Sequence, residues 1–255
     1  MLRTSAHTVS FLAGFGLACC LLPTEAMAQR TASPRLLIES VKPPPDRSGA
    51  FIAHYGLTRD DLRNIRKHVT GLKSVIPLRT SGEEARYGAE TMDVRLCGTD
   101  ENYAHKLNPQ KLQGRFLLEK DITHLNNVAV IGDDVARTLF GNRDPIGHNV
   151  RIGRDYYLIV GRLDLMALQQ EFPAETSVEL SHSIFIPLST MRARRGHVQI
   201  VRAEGAFVAE SFELSSIEIE FVPENLDDAL KIGNSIRTIL EINHPEQDYK
   251  LKLMR

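Results

Sequence analysis

Residues 114–161 read GRFLLEKDITHLNNVAVIGDDVARTLFGNRDPIGHNVRIGRDYYLIVG, and the spacing of glycines within this stretch lays out an architecture without any catalytic cluster. Asn127 to Ile131 is a short apolar, β-branched run bounded by Gly132, too short for a helix, so it reads as a buried strand. Asp133 is placed to cap a helix that turns Val135, Ala136, Leu139 and Phe140 to one face, and Gly141 to end that helix in a left-handed conformation. Asn142 to Gly147, with Asp144 and Pro145 inside it, reads as a turn. Val150 and Ile152 then alternate with Asn149 and Arg151, and Gly153-Arg154-Asp155 separates them from a β-rich run, Tyr156 to Gly161, which predicts a hairpin. A phosphate cradle is the functional rival, but Gly132-Asp133-Asp134 sets two carboxylates where an anion site needs bare amides.

The whole chain has 255 residues, 42% hydrophobic and 25% charged, enough for a substantial core in one or two domains. A formal charge of −1 and a pI near 6.8 offer no global attraction to nucleic acid or anionic lipid, so neither is expected as a partner. The densest basic spot, Arg192, Arg194 and Arg195 beside Gly196, reads as a solvated loop, with a phosphate or lipid-headgroup contact as the alternative.

At the amino terminus Arg3 precedes an uncharged apolar run from Val9 to Leu22, followed by Pro23 and Ala26-Met27-Ala28. This is the layout of a secretory signal peptide over residues 1–28, with the mature chain starting at Gln29. The run is about 14 residues against the roughly 20 of a spanning helix, and an uncleaved anchor is the alternative. Removal of residues 1–28 would leave Cys97 as the lone cysteine, at the end of the alternating run Met92 to Leu96. A small semi-apolar side chain is the ordinary reading there, and a nucleophile the sharper one.

Beyond the leader no segment approaches spanning length, so the chain from about residue 30 is expected on the far side of the membrane. Ser33 to Val41 reads as a strand and Lys42 to Gly49 as an extended loop. Thr58 is a natural N-cap with Asp61 three residues on, and Leu57 and Leu62 occupy the positions of a hydrophobic staple. The helix that follows carries Leu62, Ile65 and Val69 inward and stops at Gly71. Leu72 to Leu78, interrupted by Pro77, is predicted as an edge or strand end, with Glu90 to Cys97 as its neighbour. Ser183 to Thr190 reads as a strand entering a turn. Ser215 to Val222 sets Ile217, Ile219 and Phe221 against Glu218 and Glu220, a sheet wet on one face. Asn225 caps a last helix with Leu226, Ala229, Leu230, Gly233, Ile236 and Ile239-Leu240 inward, and Tyr249 to Leu253 closes the chain as a strand.

The motifs Gly114-Arg115-Phe116, Asp121, Val128 to Gly132, Leu139-Phe140-Gly141, Asp144-Pro145-Ile146-Gly147 and Val150 to Gly153 together resemble the extracytoplasmic core domain of MacB/FtsX-type ABC transporter permeases. Tyr55 to Asp61, Gly98-Thr99, Tyr103, Ile186-Pro187-Leu188-Ser189-Thr190 and His244-Pro245 with Asp248-Tyr249 extend the similarity over most of residues 33–253. The resemblance implies an α+β fold in two subdomains. A porter-like βαβ sandwich would be built from both chain ends, residues 33–97 plus 213–255. A smaller αβ, Sabre-like lobe would be inserted over 98–212. The residues it singles out, Gly114, Arg115, Asp121, Gly132, Phe140, Gly141, Asp144, Pro145, Gly147 and Pro187, are expected to serve backbone geometry and packing, with Arg115 and Asp121 as a pair. Permeases of this kind carry membrane helices on both sides of the domain, and this chain reads as the extracytoplasmic part alone.

The reading that follows is a non-catalytic extracytoplasmic interaction module, periplasmic or anchored to the inner membrane. It has no cofactor, no metal and no catalytic residues, and its expected partner is a separate ABC permease/ATPase complex or that complex's periplasmic adaptor. Membrane contact would come through that partner or an uncleaved amino terminus. An extracytoplasmic metal-dependent hydrolase is the rival. The nine histidines give no HExxH pair, however, and His54, His68, His105, His124, His148, His182, His197 and His244 are scattered, each reading as a surface or capping residue. No G-x-S-x-G elbow or P-loop lysine occurs. A remnant of a truncated permease is the third reading.

Overall fold

A computed structural model describes residues 34–42, 52–107, 112–164, 174–203, 206–222 and 226–254. The expected leader, most of the 42–49 loop and the Asn225 cap lie outside the described residues. The first elements are β1 (Arg35–Ser40), β2 (Ile52–His54), α1 (Arg59–His68), β3 (Leu72–Tyr87) and β4 (Glu90–Thr99). A 3₁₀ turn (Glu101–Lys106) leads to β5 (Leu112–Gly114), α2 (Glu119–Thr123), β6 (Val128–Ile131), α3 (Asp133–Phe140), β7 (Asn149–Ile152) and β8 (Asp155–Leu163). Then come α4 (Ala174–Ser181), β9 (Ser183–Pro187), α5 (Leu188–Arg195), β10 (Val198–Ala203), β11 (Ala206–Ser211), β12 (Ser216–Phe221), α6 (Leu226–Asn243) and β13 (Tyr249–Met254). No helix among the described residues is long and apolar enough to cross a membrane.

The large sheet runs β13-β1-β12-β3-β4-β9-β6-β8-β5, and β7 pairs with both β3 and β8. That double pairing closes β3, β4, β9, β6, β8 and β7 into a ring, completed where Ala85 and Arg86 meet Ile152 and Arg151. Because β6 and β9 lie inside it with cores on both sides, they read as unbroken apolar runs rather than alternating ones. Ala129, Ile131, Ile184 and Ile186 face the cluster that holds Val135, Leu139 and Phe140 of α3. Val128, Val130 and Phe185 face the one around Tyr103, Phe116 and Leu117. The third cluster joins the chain ends: Ile38 of β1, Leu62 and Ile65 of α1, Ile217 and Ile219 of β12, and Ile236 and Leu240 of α6.

The expected division at 97/98 falls inside β4. Ala85, Val94 and Leu96, on the outer side of that division, share their core with β6, β7 and β9. β3 joins the two parts: its first half pairs with β12, its second with β4.

Local chemistry explains where elements start and stop. Thr58 and Asp61 form a reciprocal capping box, and the first turn of α1 is acidic while its last holds Arg66, Lys67 and His68, matching the helix dipole at both ends. Leu57 and Leu62 are both buried in the chain-end core. Gly141, at φ +62° and ψ −120°, closes α3 with its N–H on the Arg137 carbonyl.

Several expectations are corrected. Pro77 is neither at an edge nor at a strand end, for β3 runs through it and it lies opposite Ile217 of β12. Its carbonyl accepts from Thr99 Oγ1 at 2.8 Å. The missing N–H would point the same way, beyond the start of the β3–β4 ladder at Arg79 and Gly98, so no ladder bond is lost. The N-cap of α3 is Gly132, and Asp133 is its first helical residue, held by Arg162 Nε at 3.0 Å. Ser183 to Thr190 enters a helix, not a turn. Arg192, Arg194 and Arg195 are the last turn of α5 rather than a loop, where positive charge suits the carbonyl end. Arg195, mostly buried, bonds Glu83 and donates from Nη2 to the Ile152 carbonyl at 3.0 Å.

On the face of β12 expected to be wet, Glu218 is buried between Arg35 and Lys106. In α6, Ala229, Ile236, Ile239 and Leu240 face the core as expected, but Leu230 is 56% exposed and Ile232 is buried instead. Val198 to Ser211, unassigned from sequence, forms the β10–β11 hairpin, and β11 pairs in parallel with β2 at Ala209–Ser211 and Ile52–His54.

Candidate functional site

The residues singled out by motif do not converge. Gly114 takes φ +77°, and a Cβ there would stand 2.4 Å from the Val160 carbonyl oxygen. Arg115 holds Asp121 through Nη1 at 2.6 Å, and Asp121, almost fully buried, also accepts from Leu118 N at 3.0 Å and Asn126 Nδ2 at 3.1 Å. A Cβ on Gly132 would lie 2.2 Å from the Ser181 carbonyl oxygen. Phe140 stacks on Tyr87 with ring centroids 4.1 Å apart. Asp144 Oδ1 accepts from Ile146 N at 3.0 Å, Pro145 is buried, and the Gly147 N–H donates to the Ile159 carbonyl at 2.9 Å. Pro187 ends β9 and precedes α5. These positions build strands and turns, and none of their side chains points at a common reactive centre.

Among the described residues no group of three or more His, Cys, Asp or Glu is arranged to hold a metal ion. Cys97 is 2% exposed, and burial pushes its thiol up to about 11, so it is protonated and sheltered rather than nucleophilic. His54, His68, His105, His124, His148 and His182 are exposed.

Of the expected surface or capping roles, His244 takes the second: it follows α6 with its N–H on the Leu240 carbonyl at 2.8 Å, but it is not at the surface. It is 6% exposed, with Nε2 2.8 Å from Asp61 Oδ2 and Nδ1 2.8 Å from Asp248 Oδ1. Since both ring nitrogens meet carboxylate oxygens, the doubly protonated imidazolium fits the pair. The bond to Asp61 raises the His244 pKa against the opposing effect of burial. Burial also pushes the Asp61 carboxyl up, but hydrogen bonds from His244, Thr58 and Asn243 outweigh it and hold Asp61 at about 2. Asp248 further accepts the Gly56 N–H. The knot ties the loop before α1 to the end of α6 and the start of β13. Both ring nitrogens are taken up by carboxylates, and the neighbouring Thr58 hydroxyl donates to Asp61 at 2.6 Å, so the imidazole secures chain segments.

Next to this knot lie two concavities that share His197 and Glu213. A hollow of about 450 Å³ is lined by His54, Tyr55, Phe212 and His244 among others. A cleft of about 300 Å³ is lined by Arg59, Arg63, Arg66, Arg79 and Arg192, with the carboxylates of Glu213 and Asp100 and an apolar floor that includes Leu62, Leu188 and Leu214. Arg59 Nε bonds Glu213 Oε2 at 3.0 Å, Arg66 pairs with Asp100 and donates to the Val75 carbonyl at 2.7 Å, and Arg63 reaches Asp60 at 2.7 Å. Burial lowers the pKa of His197, Glu213 opposes this, and the charges of Arg79, Arg59 and Arg192 add to the lowering. The ring is therefore neutral near pH 7. Sequence reading missed both the knot and the cleft, because their members are up to 183 residues apart. The one sequence signal was the pairing of His244 with Asp248.

Comparison with known proteins agrees with this architecture. The profile of the MacB-like periplasmic core domain matches residues 24–219. Among curated relatives, the uncharacterized ABC transporter permease YknZ of Bacillus subtilis is 24% identical over 192 residues, 75% of this chain and 42% of that protein. The macrolide export ATP-binding/permease protein MacB of Bdellovibrio bacteriovorus is 29% identical over 107 residues, 42% of this chain and 16% of that protein. The chain thus spans less than half the length of these relatives. In fold it is similar to the periplasmic region of MacB from Actinobacillus actinomycetemcomitans, with a TM-score of 0.60 at 21% identity over 86% of this chain and 87% of that one. It is also similar to the extracellular domain of YknZ from Gram-positive bacteria, with a TM-score of 0.58 at 20% identity over 87% of this chain and all of that one.

Proposed function

Since this chain belongs to the MacB-like periplasmic core domain family, we propose that it works as a non-catalytic extracytoplasmic interaction module serving an ABC transporter of the export or lipoprotein-release type. The observation that carries the reading is the family match over residues 24–219, which spans the core domain from β1 to β12. Curated relatives with this domain bear the names of ATP-binding/permease proteins, and the partner in view is a permease/ATPase complex or its periplasmic adaptor. The protein would reach the periplasm or another extracytoplasmic space through residues 1–28, cleaved or retained as an anchor. The motif residues, from Gly114 to Pro187, would keep the ring of strands rigid enough to transmit force between partners. The arrangement of Cys97 and the histidines supports a role without covalent chemistry.

The test is crosslinking in intact cell envelopes from a photoreactive side chain at the exposed Tyr156 position or on the exposed face of α1, followed by identification of the captured chain. Capture of a permease, its ATPase or an adaptor is the expected result. Recovery of no transporter component from any of several exposed positions would count against the reading.

A further inference from the structure

Arg79 is the largest fully buried side chain of the described structure, 1% exposed, and it makes no ion pair among the described residues. Its Nη1 donates to the Gly196 carbonyl, its guanidinium carbon lies 5.8 Å from the centre of the Phe212 ring, and its Nε has no partner. Glu213 acts on Arg79 across space, but its carboxylate is already bonded by Arg59. A buried cation without an ion pair of its own is costly, and folds retain such groups where something else supplies the charge. Arg79 lines the arginine cleft, and so does Arg192, which likewise makes no ion pair among the described residues. The other three guanidinium groups are matched: Arg59 by Glu213, Arg66 by Asp100 and Arg63 by Asp60. A second orphaned polar atom, His197 Nδ1, stands in the same cleft.

Two unmatched cations, one of them buried, thus face a concavity whose floor is apolar. We propose that this cleft binds a phosphate monoester carried on an apolar body. A phosphate monoester carries roughly 1.5 to 2 negative charges near neutral pH, enough to neutralise Arg79 and Arg192 together, whereas a carboxylate neutralises one. Guanidinium forks present paired N–H donors to phosphate oxygens, and the floor around Leu62, Leu188 and Leu214 accommodates the alkyl part. The same chemistry could arrive as a soluble ester or as the headgroup of a lipid. The site does not depend on the transporter-docking reading and is tested without any protein partner.

The test is titration calorimetry of the full chain with octyl phosphate, inorganic phosphate and octanoate, together with co-sedimentation with vesicles of phosphatidic acid against phosphatidylcholine. Octyl phosphate is expected to bind saturably, one per chain, at least tenfold more tightly than octanoate. Arg79→Gln and Arg192→Gln should each weaken that binding at least tenfold, and Arg137→Gln, on the exposed face of α3 outside the cleft, less than threefold. Equal affinity for inorganic phosphate would show that the apolar floor takes no alkyl part and would overturn the proposal of an apolar-borne monoester. Stronger capture by phosphatidic acid vesicles, lost in Arg192→Gln, would make a lipid its source. Absence of saturable binding by every phosphate probe, octanoate binding as tightly as octyl phosphate, or unchanged affinity in Arg192→Gln would overturn the proposal. Arg192 is part-exposed on the last turn of α5, so that variant keeps the test decisive even if Arg79→Gln fails to fold.

Discussion

The ring of strands and the layer made from the chain ends close by different means. In the ring, main chain presses on main chain. Cβ atoms at Gly114, Gly132 and Gly161 would stand 2.4, 2.2 and 2.3 Å from the carbonyl oxygens of Val160, Ser181 and Arg115. In the chain-end layer, charged side chains reach across: His244 to Asp61 and Asp248, Arg59 to Glu213, Lys73 to Glu220. Segments near in sequence can be packed backbone to backbone by leaving out a side chain. Segments separated by nearly the whole chain are joined by groups whose charge and hydrogen bonds specify which termini meet.

The sharpest way to break this contrast is Gly132→Val. Its branched side chain would meet the carbonyls of Leu180 and Ser181, which are backbone and cannot swing away. A loss of about 3 kcal/mol or more in urea unfolding is expected, up to failure to fold. A loss below about 1 kcal/mol would show that the ring yields there, and would remove the backbone-packing half of the comparison.

The charged half is tested through pH. Asp61 is held below its ordinary 3.8, so its contribution is present above that value and is lost as pH falls toward about 2. His244 is raised above its ordinary 6.5, so its contribution is present below that value and is lost as pH rises through the folded-state pKa. His197, lowered instead, works in the opposite sense around neutrality. The His244 contribution is therefore read as the difference between the protein and His244→Gln. That difference is expected at about 2 kcal/mol near pH 6, shrinking at higher pH. A difference constant from pH 5 to 9 would mean that the knot acts by shape alone.

A smaller effect is expected at Gly141. Its positive φ with open space around the Cβ position makes backbone strain the sole penalty of Gly141→Val, about 1 to 2 kcal/mol in melting or urea experiments. An unchanged midpoint would show that the end of α3 relaxes freely. It would also confine the demand for glycine in this lobe to the close approaches.

Legibility in the sequence followed the range of the interactions. The α1 capping box, the β6 strand, the apolar face of α3 and the β7–β8 hairpin depend on residues within one or two turns of each other, and each is read from spacing. Pro77 was misplaced because its tolerance depends on where β4 ends, and the arginines of α5 because a basic run in a helix's last turn looks like a polar loop. Leu230 fits the helical period of the core face but is exposed, because what covers α6 comes from the region of α1 and Gly71, where Ile232 is buried. The cleft has no local signature, and the knot has only the spacing of His244 and Asp248. The cleft gathers residues from α1, α5 and the stretch after β11, and the knot joins the start of α1 to the end of α6 and the residue before β13.

The sequence by itself determined the α1 cap, the β6 strand, the apolar face of α3 and the β7–β8 hairpin, since caps, periods and glycine punctuation act over a few residues, and its resemblance named the family that the profile match bears out. Tertiary structure alone decided that β3 serves two parts of one sheet, that His244 is sealed between two carboxylates, and that Arg79 is buried with no ion pair of its own among the described residues. The physical reason is that burial and electrostatic pairing belong to groups brought together in space, and their cost or benefit exists only once the chain ends have met.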